Sequence, residues 1–274
     1  MFFHCGKFKL SLSRPLIMGI VNVTPDSFSD GGKYFSPQSA RAHALRLIEE
    51  GADLLDIGGE STRPGAQPVG AEEELRRVLP VLESLQGVNV PLSVDTSKPL
   101  VMRAALAAGA SMINDVNALL ADGALEAVAA SDAAVCLMHK QGEPGTMQHT
   151  PHYDDVLAEV IHFLRSRIAA AEAAGIACER LAIDPGFGFG KALAHNLTLL
   201  RKLDDIAALG VPLLAGLSRK SMLAKIIGRD DGDRTAASIA AALWAVQKGA
   251  KILRVHDVQA TRDALAVFAA VKSE

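Results

Sequence analysis

Eight short apolar runs recur along the chain, and nearly all of them end on a polar residue or a glycine. Residues 16–21 run into Asn22, 54–55 into Asp56, 92–94 into Asp95 and 112–113 into Asn114; 135–138 run into His139, 181–183 into Asp184, 213–215 into Gly216 and 252–255 into His256. Short, continuous runs of this kind are the mark of parallel strands buried on both faces, and most intervals between them carry apolar residues at helical spacing. Helices are expected over 72–85, 98–108, 123–130, 155–174, 197–209, 235–248 and 260–271. A first helix starts with Ser36 as N-cap and Pro37 at its first position, and stops at Gly51. On the 235–248 helix, the stripe of Ile239, Leu243 and Val246 reads as the core face, with packing as the role of Trp244 too. Weak alternation before residue 16, with Phe8 and Leu10 set against Lys7 and Lys9, predicts a small hairpin below the sheet.

Alternation of strand and helix throughout predicts an α/β fold, a (β/α)8 TIM barrel spanning residues 1–274 as one domain; a doubly wound open sheet is the alternative. A closed barrel gathers the carboxyl ends of its strands on one rim. Asn22, Asp56, Asp95, Asn114, His139, Asp184, Lys220 and His256 should therefore converge on one pocket.

With 274 residues the chain is near the size of one such barrel. Its net charge of −3, from 28 Lys plus Arg against 31 Asp plus Glu, is too balanced for nucleic-acid binding or an anionic membrane. The three cysteines, Cys5, Cys136 and Cys178, lack metal spacing, read as packing residues and suit a reducing compartment. No run approaches a membrane span, so a cytoplasmic protein is expected.

The loops after the strands carry the candidate chemistry. Asn22-Val23-Thr24-Pro25-Asp26-Ser27-Phe28-Ser29-Asp30-Gly31-Gly32 is dense in oxygen donors, as in a segment that closes over a ligand. Asp56-Ile57-Gly58-Gly59-Glu60-Ser61-Thr62-Arg63-Pro64-Gly65 sets glycines, hydroxyls and an arginine together, as an anion site would. Asp184-Pro185-Gly186-Phe187-Gly188-Phe189-Gly190-Lys191 fails both the dinucleotide and the Walker spacing. Its glycines instead let backbone and the faces of Phe187 and Phe189 approach a planar ligand. Gly216-Leu217-Ser218-Arg219-Lys220-Ser221 leads into a helix, and alternation in Arg254-Val255-His256-Asp257 puts Arg254 and His256 on one side. Together those two form an anion clamp, although for Arg254 alone a structural ion pair is an even alternative. Two carboxylates and a carboxamide, Asp95, Asp184 and Asn114, suit the donor-rich edge of an aminopyrimidinone-like heterocycle. Asn22, a neutral oxygen near the clamp, suits a Mg²⁺ ligated mostly by water and pyrophosphate.

These five loops, from Met18-Gly19-Ile20-Val21-Asn22 to Arg254-Val255-His256-Asp257, resemble the dihydropteroate synthase family of pterin-binding barrels. The resemblance implies a transferase of folate biosynthesis that condenses 6-hydroxymethyl-7,8-dihydropterin pyrophosphate with p-aminobenzoate, yielding 7,8-dihydropteroate and pyrophosphate. It implies a Mg²⁺ requirement, a sulfonamide target and a homodimer. By the same resemblance Asp95, Asn114 and Asp184 hold the pterin edge, and Lys220, beside Gly216, holds its carbonyl and a ring nitrogen. Met138 and Phe189 line its floor. Ser221 takes the benzoate carboxylate, and Phe28, Pro64 and Phe189 wall the benzoate ring. Thr62, Arg63, Arg254 and His256, with Mg²⁺ on Asn22, receive the charge of departing pyrophosphate in an SN1-like displacement, and Asp95 stabilises the cation left on the pterin. The rival readings are a pterin-dependent methyltransferase module of a corrinoid system and an inactive pterin-binding paralogue.

Overall fold

The eight apolar runs become one sheet of eight parallel strands, in the order β8-β7-β6-β5-β4-β3-β10-β9. These strands are β3 (Leu16–Asn22), β4 (Leu54–Gly58), β5 (Leu92–Asp95), β6 (Met112–Asp115), β7 (Ala134–Met138), β8 (Leu181–Asp184), β9 (Leu214–Ala215) and β10 (Ile252–Val255). A parallel bridge from Ile183 to Leu213 joins the two ends of that order, so the sheet closes into the expected barrel rather than an open layer. β1 (Phe2–Cys5) and β2 (Phe8–Ser11) form the antiparallel hairpin. The computed structural model describes residues 1–24, 37–61, 67–142, 147, 150–229 and 232–272. Ser36, Phe28, Thr62, Arg63 and Pro64 lie outside them.

Strand alternation divides the side chains into two sets. Ile17, Leu55, Val94, Ile113, Val135, Leu137, Ile183 and Leu253 point outward and merge with the helices into the larger core. Leu16, Met18, Leu54, Met112, Ala134, Cys136, Ala182, Leu214 and Ile252 point inward, and Phe3, Cys5 and Leu12 of the hairpin segment close the same cluster from below. One step further up the strands, the inward positions turn polar: Asn22, Asp56, Asp95, Asn114, Asp184 and Arg254. The barrel interior is thus apolar at its floor and charged at its mouth.

The surrounding helices are α1 (Pro37–Glu49), α2 (Ala71–Ser84), α3 (Pro99–Ala107), α4 (Ala124–Ala129), α5 (Val156–Ala173), α6 (Leu193–Arg201), α7 (Leu203–Ala207), α8 (Ser221–Ile227), α9 (Thr235–Gln247) and α10 (Val258–Lys272). Asp155 caps α5 by accepting from the Leu157 and Ala158 amides at 3.0 and 3.1 Å. Where one helix was expected over 197–209, the chain forms α6 and α7, and α6 starts at Leu193. Side-chain bonds advance that start: the Ala192 amide donates to His195 Nδ1, and Asn196 Nδ2 donates to the Lys191 and Ala192 carbonyls. Apolar periodicity carries no trace of such bonds.

The stripe expected as the core face of α9 only borders that face, with Val246 packed against the core. Ser238, Ala241, Ala242 and Ala245 are the buried residues of that helix, Ile239, Leu243 and Val246 are half-buried, and Trp244 is 47% exposed. Small side chains let α9 lie close to its neighbours, and the large ones are left on the rim of the contact. Exposed Cys178 likewise departs from the packing role expected of it, whereas Cys5 and Cys136 are buried.

Candidate functional site

Four strand ends meet in one network at the barrel mouth. Arg254 Nε donates to Asp56 Oδ2 at 2.6 Å, and its Nη2 donates to Asp95 Oδ2 at 2.8 Å. Asn114 Nδ2 donates to the same Asp56 oxygen at 2.9 Å. Because a carboxylate can only accept, this bond settles which end of the Asn114 amide is nitrogen and turns its carbonyl oxygen away from Asp56. Asp184 is fixed in a similar manner: the Gly186 amide donates to its Oδ1 at 2.7 Å. Its Oδ2 lies 3.6 Å from the point a Cβ on Gly216 would occupy, so Gly216 stands directly beside that oxygen.

Burial in this network raises the cost of charge. Asp95 is pushed up to about 7, first by burial and next by Asp56, against the opposing pull of Arg254. Asp184 is also raised by burial, although the Gly186 amide, Lys220, Lys191 and Arg254 all favour its ionised form. For Arg254 burial works against the charge, but Asp56 and Asp95 outweigh it and hold the guanidinium protonated. Asp56 Oδ1 and Ser93 Oγ, on positions paired across neighbouring strands, are buried with no partner among the described residues. Such orphaned polar groups are costly unless ligand or water meets them.

An apolar floor adjoins the carboxylates. Met138, Phe189 and Met147 cluster, with Val116 packed beside them, and Lys220 Nζ stands 4.2 Å from the centre of the Phe189 ring. Val116 and Met147 join this wall although sequence reasoning did not find them. Phe187, expected beside Phe189, is instead buried in the helical core. Ser221, the first residue of α8, is exposed. His256 sits two positions beyond Arg254, with Nδ1 3.0 Å from Ser218 Oγ.

His139 departs from the expected convergence. It follows Met138, so alternation turns it outward, where its ring meets Phe163 edge-on at 5.0 Å and Tyr153 at 6.1 Å. Burial and then nearby Lys191 bring it down to about 3, so it is neutral and its Nδ1 accepts from Lys191 Nζ at 2.9 Å. Lys191 also donates to the Gly186 and Phe189 carbonyls, at 3.0 Å each, and to the His139 carbonyl at 3.3 Å. Only glycine fits the loop it ties: a Cβ on Gly186, with φ +70°, would fall 1.8 Å from the His139 oxygen. The sequence signal for Lys191 was its place after a glycine loop, whose carbonyls it binds, but its His139 partner stands at a strand end 52 positions earlier.

The second loop is pinned at its base. Glu60 accepts the Val69 amide at 2.8 Å and pairs with Lys98 Nζ, which also meets fully buried Glu74 at 2.6 Å. Among the described residues no group of three or more His, Cys, Asp or Glu side chains could hold a metal. The Asn22 carboxamide oxygen nevertheless faces the mouth, 3.9 Å from where a Gly58 Cβ would sit, with Asp95 Oδ2 3.8 Å from that point. One neutral oxygen beside one carboxylate fits a Mg²⁺ whose remaining ligands come from water and a phosphate ester, and does not fit an all-protein cage.

Residues 18–256 match the family model described as pterin binding enzyme. The chain is 54% identical, over 98% of its length and 96% of the relative's, to a dihydropteroate synthase of Neisseria meningitidis serogroup C. Among solved structures it is similar to Xanthomonas albilineans dihydropteroate synthase with 4-aminobenzoic acid, with TM-score 0.94 and 59% identity over 100% of this chain and 98% of that one. It is also similar to the Yersinia pestis enzyme in a sulfonamide drug complex, with TM-score 0.95 and 49% identity over 100% of both chains.

Proposed function

The chain belongs to the pterin-binding enzyme family, and on that premise we propose that its barrel mouth carries out the dihydropteroate synthase reaction. The protein is a transferase of folate biosynthesis. It joins 6-hydroxymethyl-7,8-dihydropterin pyrophosphate to p-aminobenzoate, releases pyrophosphate, and is a sulfonamide target of the same kind as its relatives. The observation that carries the site assignment is the row of acceptors, Asp95, the Asn114 oxygen and Asp184 Oδ2, beside a lysine standing over Phe189.

In this reading the row of acceptors takes the amino and ring N–H groups of the pterin, while Lys220 donates to its carbonyl and ring nitrogen. Met138 and Phe189 lie against the ring, and Gly216 borders it beside Asp184. The C–O bond to pyrophosphate breaks first, and its electron pair leaves with the phosphate. Arg254 and His256, with Thr62 and Arg63 of the second loop, receive that charge. Asp95, ionised, faces the cation that the pterin ring shares with its methylene carbon. The neutral aromatic amine then attacks that carbon, and the acidic ammonium so formed passes its proton to water or to the released pyrophosphate, so no strong base is needed. Ser221 donates to the benzoate carboxylate, and Phe28 and Pro64 wall its ring with Phe189. Asn22 would hold Mg²⁺, which when bound supplies positive charge to the pyrophosphate.

The dimer and the compartment belong to the same proposal. Ile226 and Ile227 of α8, Trp244 of α9, and Val267 and Val271 of α10 are exposed on helices that pack in sequence, apolar surface that suits a homodimer interface. Free cysteines and the absence, among the described residues, of a helix long and apolar enough to cross a membrane support a cytoplasmic enzyme acting as one domain. Pyrophosphate release should require both substrates and Mg²⁺. No pyrophosphate release with both substrates and Mg²⁺ present, or methyl transfer to a corrinoid instead, would overturn the reading.

A further inference from the structure

Ser218 holds His256 in a chemically specific way. The Ser218 hydroxyl oxygen accepts the His256 backbone amide at 3.2 Å and lies 3.0 Å from Nδ1 of the same residue. A hydroxyl has one hydrogen and two lone pairs. One lone pair is taken by the amide, and the side chain is buried with no further bonded acceptor among the described residues, so its hydrogen goes to Nδ1. An imidazole that accepts at Nδ1 carries its proton on Nε2.

The loop that presents Ser218 is over-determined. Its neighbour Arg219 is held at φ +58°, a left-handed conformation that costs a non-glycine residue energy. The Arg219 amide donates to Ser238 Oγ at 2.9 Å, its carbonyl accepts from Arg234 Nη1 at 3.1 Å, and its guanidinium spans both oxygens of Asp257, the residue after His256. The Arg219–Asp257 pair therefore ties the β9 loop to the end of β10 just beyond the Ser218–His256 contact, while Arg234 and Ser238 tie it to the start of α9.

We propose that Ser218 is a positioning residue that keeps His256 in the Nε2–H tautomer, with that donor aimed at the leaving pyrophosphate. The proposal rests on the reading of His256 as a pyrophosphate-facing group. Ser218 acts through the histidine, in the way that a hydrogen-bond partner behind a metal-bound histidine orients the ring.

Histidine-labelled full-length enzyme, observed by long-range ¹H–¹⁵N correlation at a pH where the imidazoles are neutral, reads the tautomer directly, and the His256→Gln spectrum identifies the peaks. The wild type should show an unprotonated Nδ1. Ser218→Ala should show a mixture, with kcat lower by about tenfold, the lower end of the cost of removing an orienting partner in histidine sites, and KM for p-aminobenzoate changed less than about twofold. Ser218→Thr, which keeps the hydroxyl, should restore both. A protonated Nδ1 in the wild type, or a threonine variant as impaired as alanine, would overturn the proposal. Loss of the functional reading has a different signature, a wild-type enzyme that releases no pyrophosphate whatever its histidine spectrum.

Discussion

The floor and the mouth of this barrel are built on the same strands and obey opposite rules. At the floor, Met18, Leu54, Met112, Cys136 and Ile252 are fully buried and satisfied by contact alone. Two residues further along the strands, Asp56, Asn114 and Arg254 share a network in which Asp56 Oδ1 is left without a partner among the described residues. Packing of the floor can be saturated by side chains of any suitable shape. The mouth keeps an acceptor open for water or a ligand to meet, and that is what separates a stabilising layer from a binding layer.

Substitution of Arg254 by alanine should break this comparison most severely, because it strikes both properties at once. As a charge donor its loss costs about 10²–10³ in turnover. As the partner of fully buried Asp56 its loss leaves a carboxylate unpaired, and breaking a buried pair from one side costs about 3–5 kcal/mol. His256→Ala, without a buried carboxylate behind it, should lose turnover of the same order with little change in denaturation midpoint. The sequence pattern presented a clamp and an ion pair as alternatives for Arg254, and the structure builds the ion pair into the mouth itself. Urea melts of the two variants, set beside their kcat/KM values, check the contrast; equal destabilisation would refute it.

Met18→Ala tests the floor alone. The side chain has no exposure, and truncation of a buried methionine costs about 2–5 kcal/mol. Activity per folded molecule should stay near wild type, since nothing at the mouth bonds to it. A fall in kcat/KM of tenfold or more in the folded fraction would mean that the two layers are coupled.

Asp184→Asn sharpens the mouth. The Gly186 amide holds one oxygen and leaves the other as an acceptor, and an amide there presents a donor to a ligand donor or loses the Gly186 bond. A mispaired buried group costs about 1–3 kcal/mol. Calorimetric titration with a pterin should show that weakening with an unchanged melting midpoint. Equal affinity would remove Asp184 from the pterin edge.

How much of this could be read along the chain follows from the range of each interaction. Strands and their inward residues were legible because alternation is local, and Asp95, Asn114, Asp184 and Arg254 appear where a period of two puts them. His139 was misassigned by the same rule misapplied by one position, since the pocket-facing residue of β7 is Met138. The α9 stripe misled because size and not hydrophobicity decides which face of an alanine-rich helix can approach the barrel. Lys191, Asn196 and Ser218 stayed hidden for a third reason. Their partners, His139, Gly188 and His256, are joined to them only by folding, and the residue types alone carry no signal of it.

The smallest expected effect is a titration, and it separates charge from packing. Asp95 stands at about 7 in the folded protein, raised chiefly by burial and further by Asp56. Its ordinary value is about 3.9. A carboxyl raised on folding contributes stability that is fully present below the unfolded value and is lost as pH rises through the folded one. Activity should run the other way, because only the carboxylate can face a cation. The rate should therefore rise with pH as Asp95 ionises above the ordinary carboxylate range, while the contribution of Asp95 to stability declines from its unfolded value up to its raised folded one. Arg254 opposes the shift, so its removal should move the activity profile to higher pH as well as lowering it. Floor variants such as Met18→Ala should leave the midpoint where it is. A kcat/KM profile flat between pH 6 and 8 in the wild type, with substrate ionisation accounted for, would show that ionised Asp95 is not required.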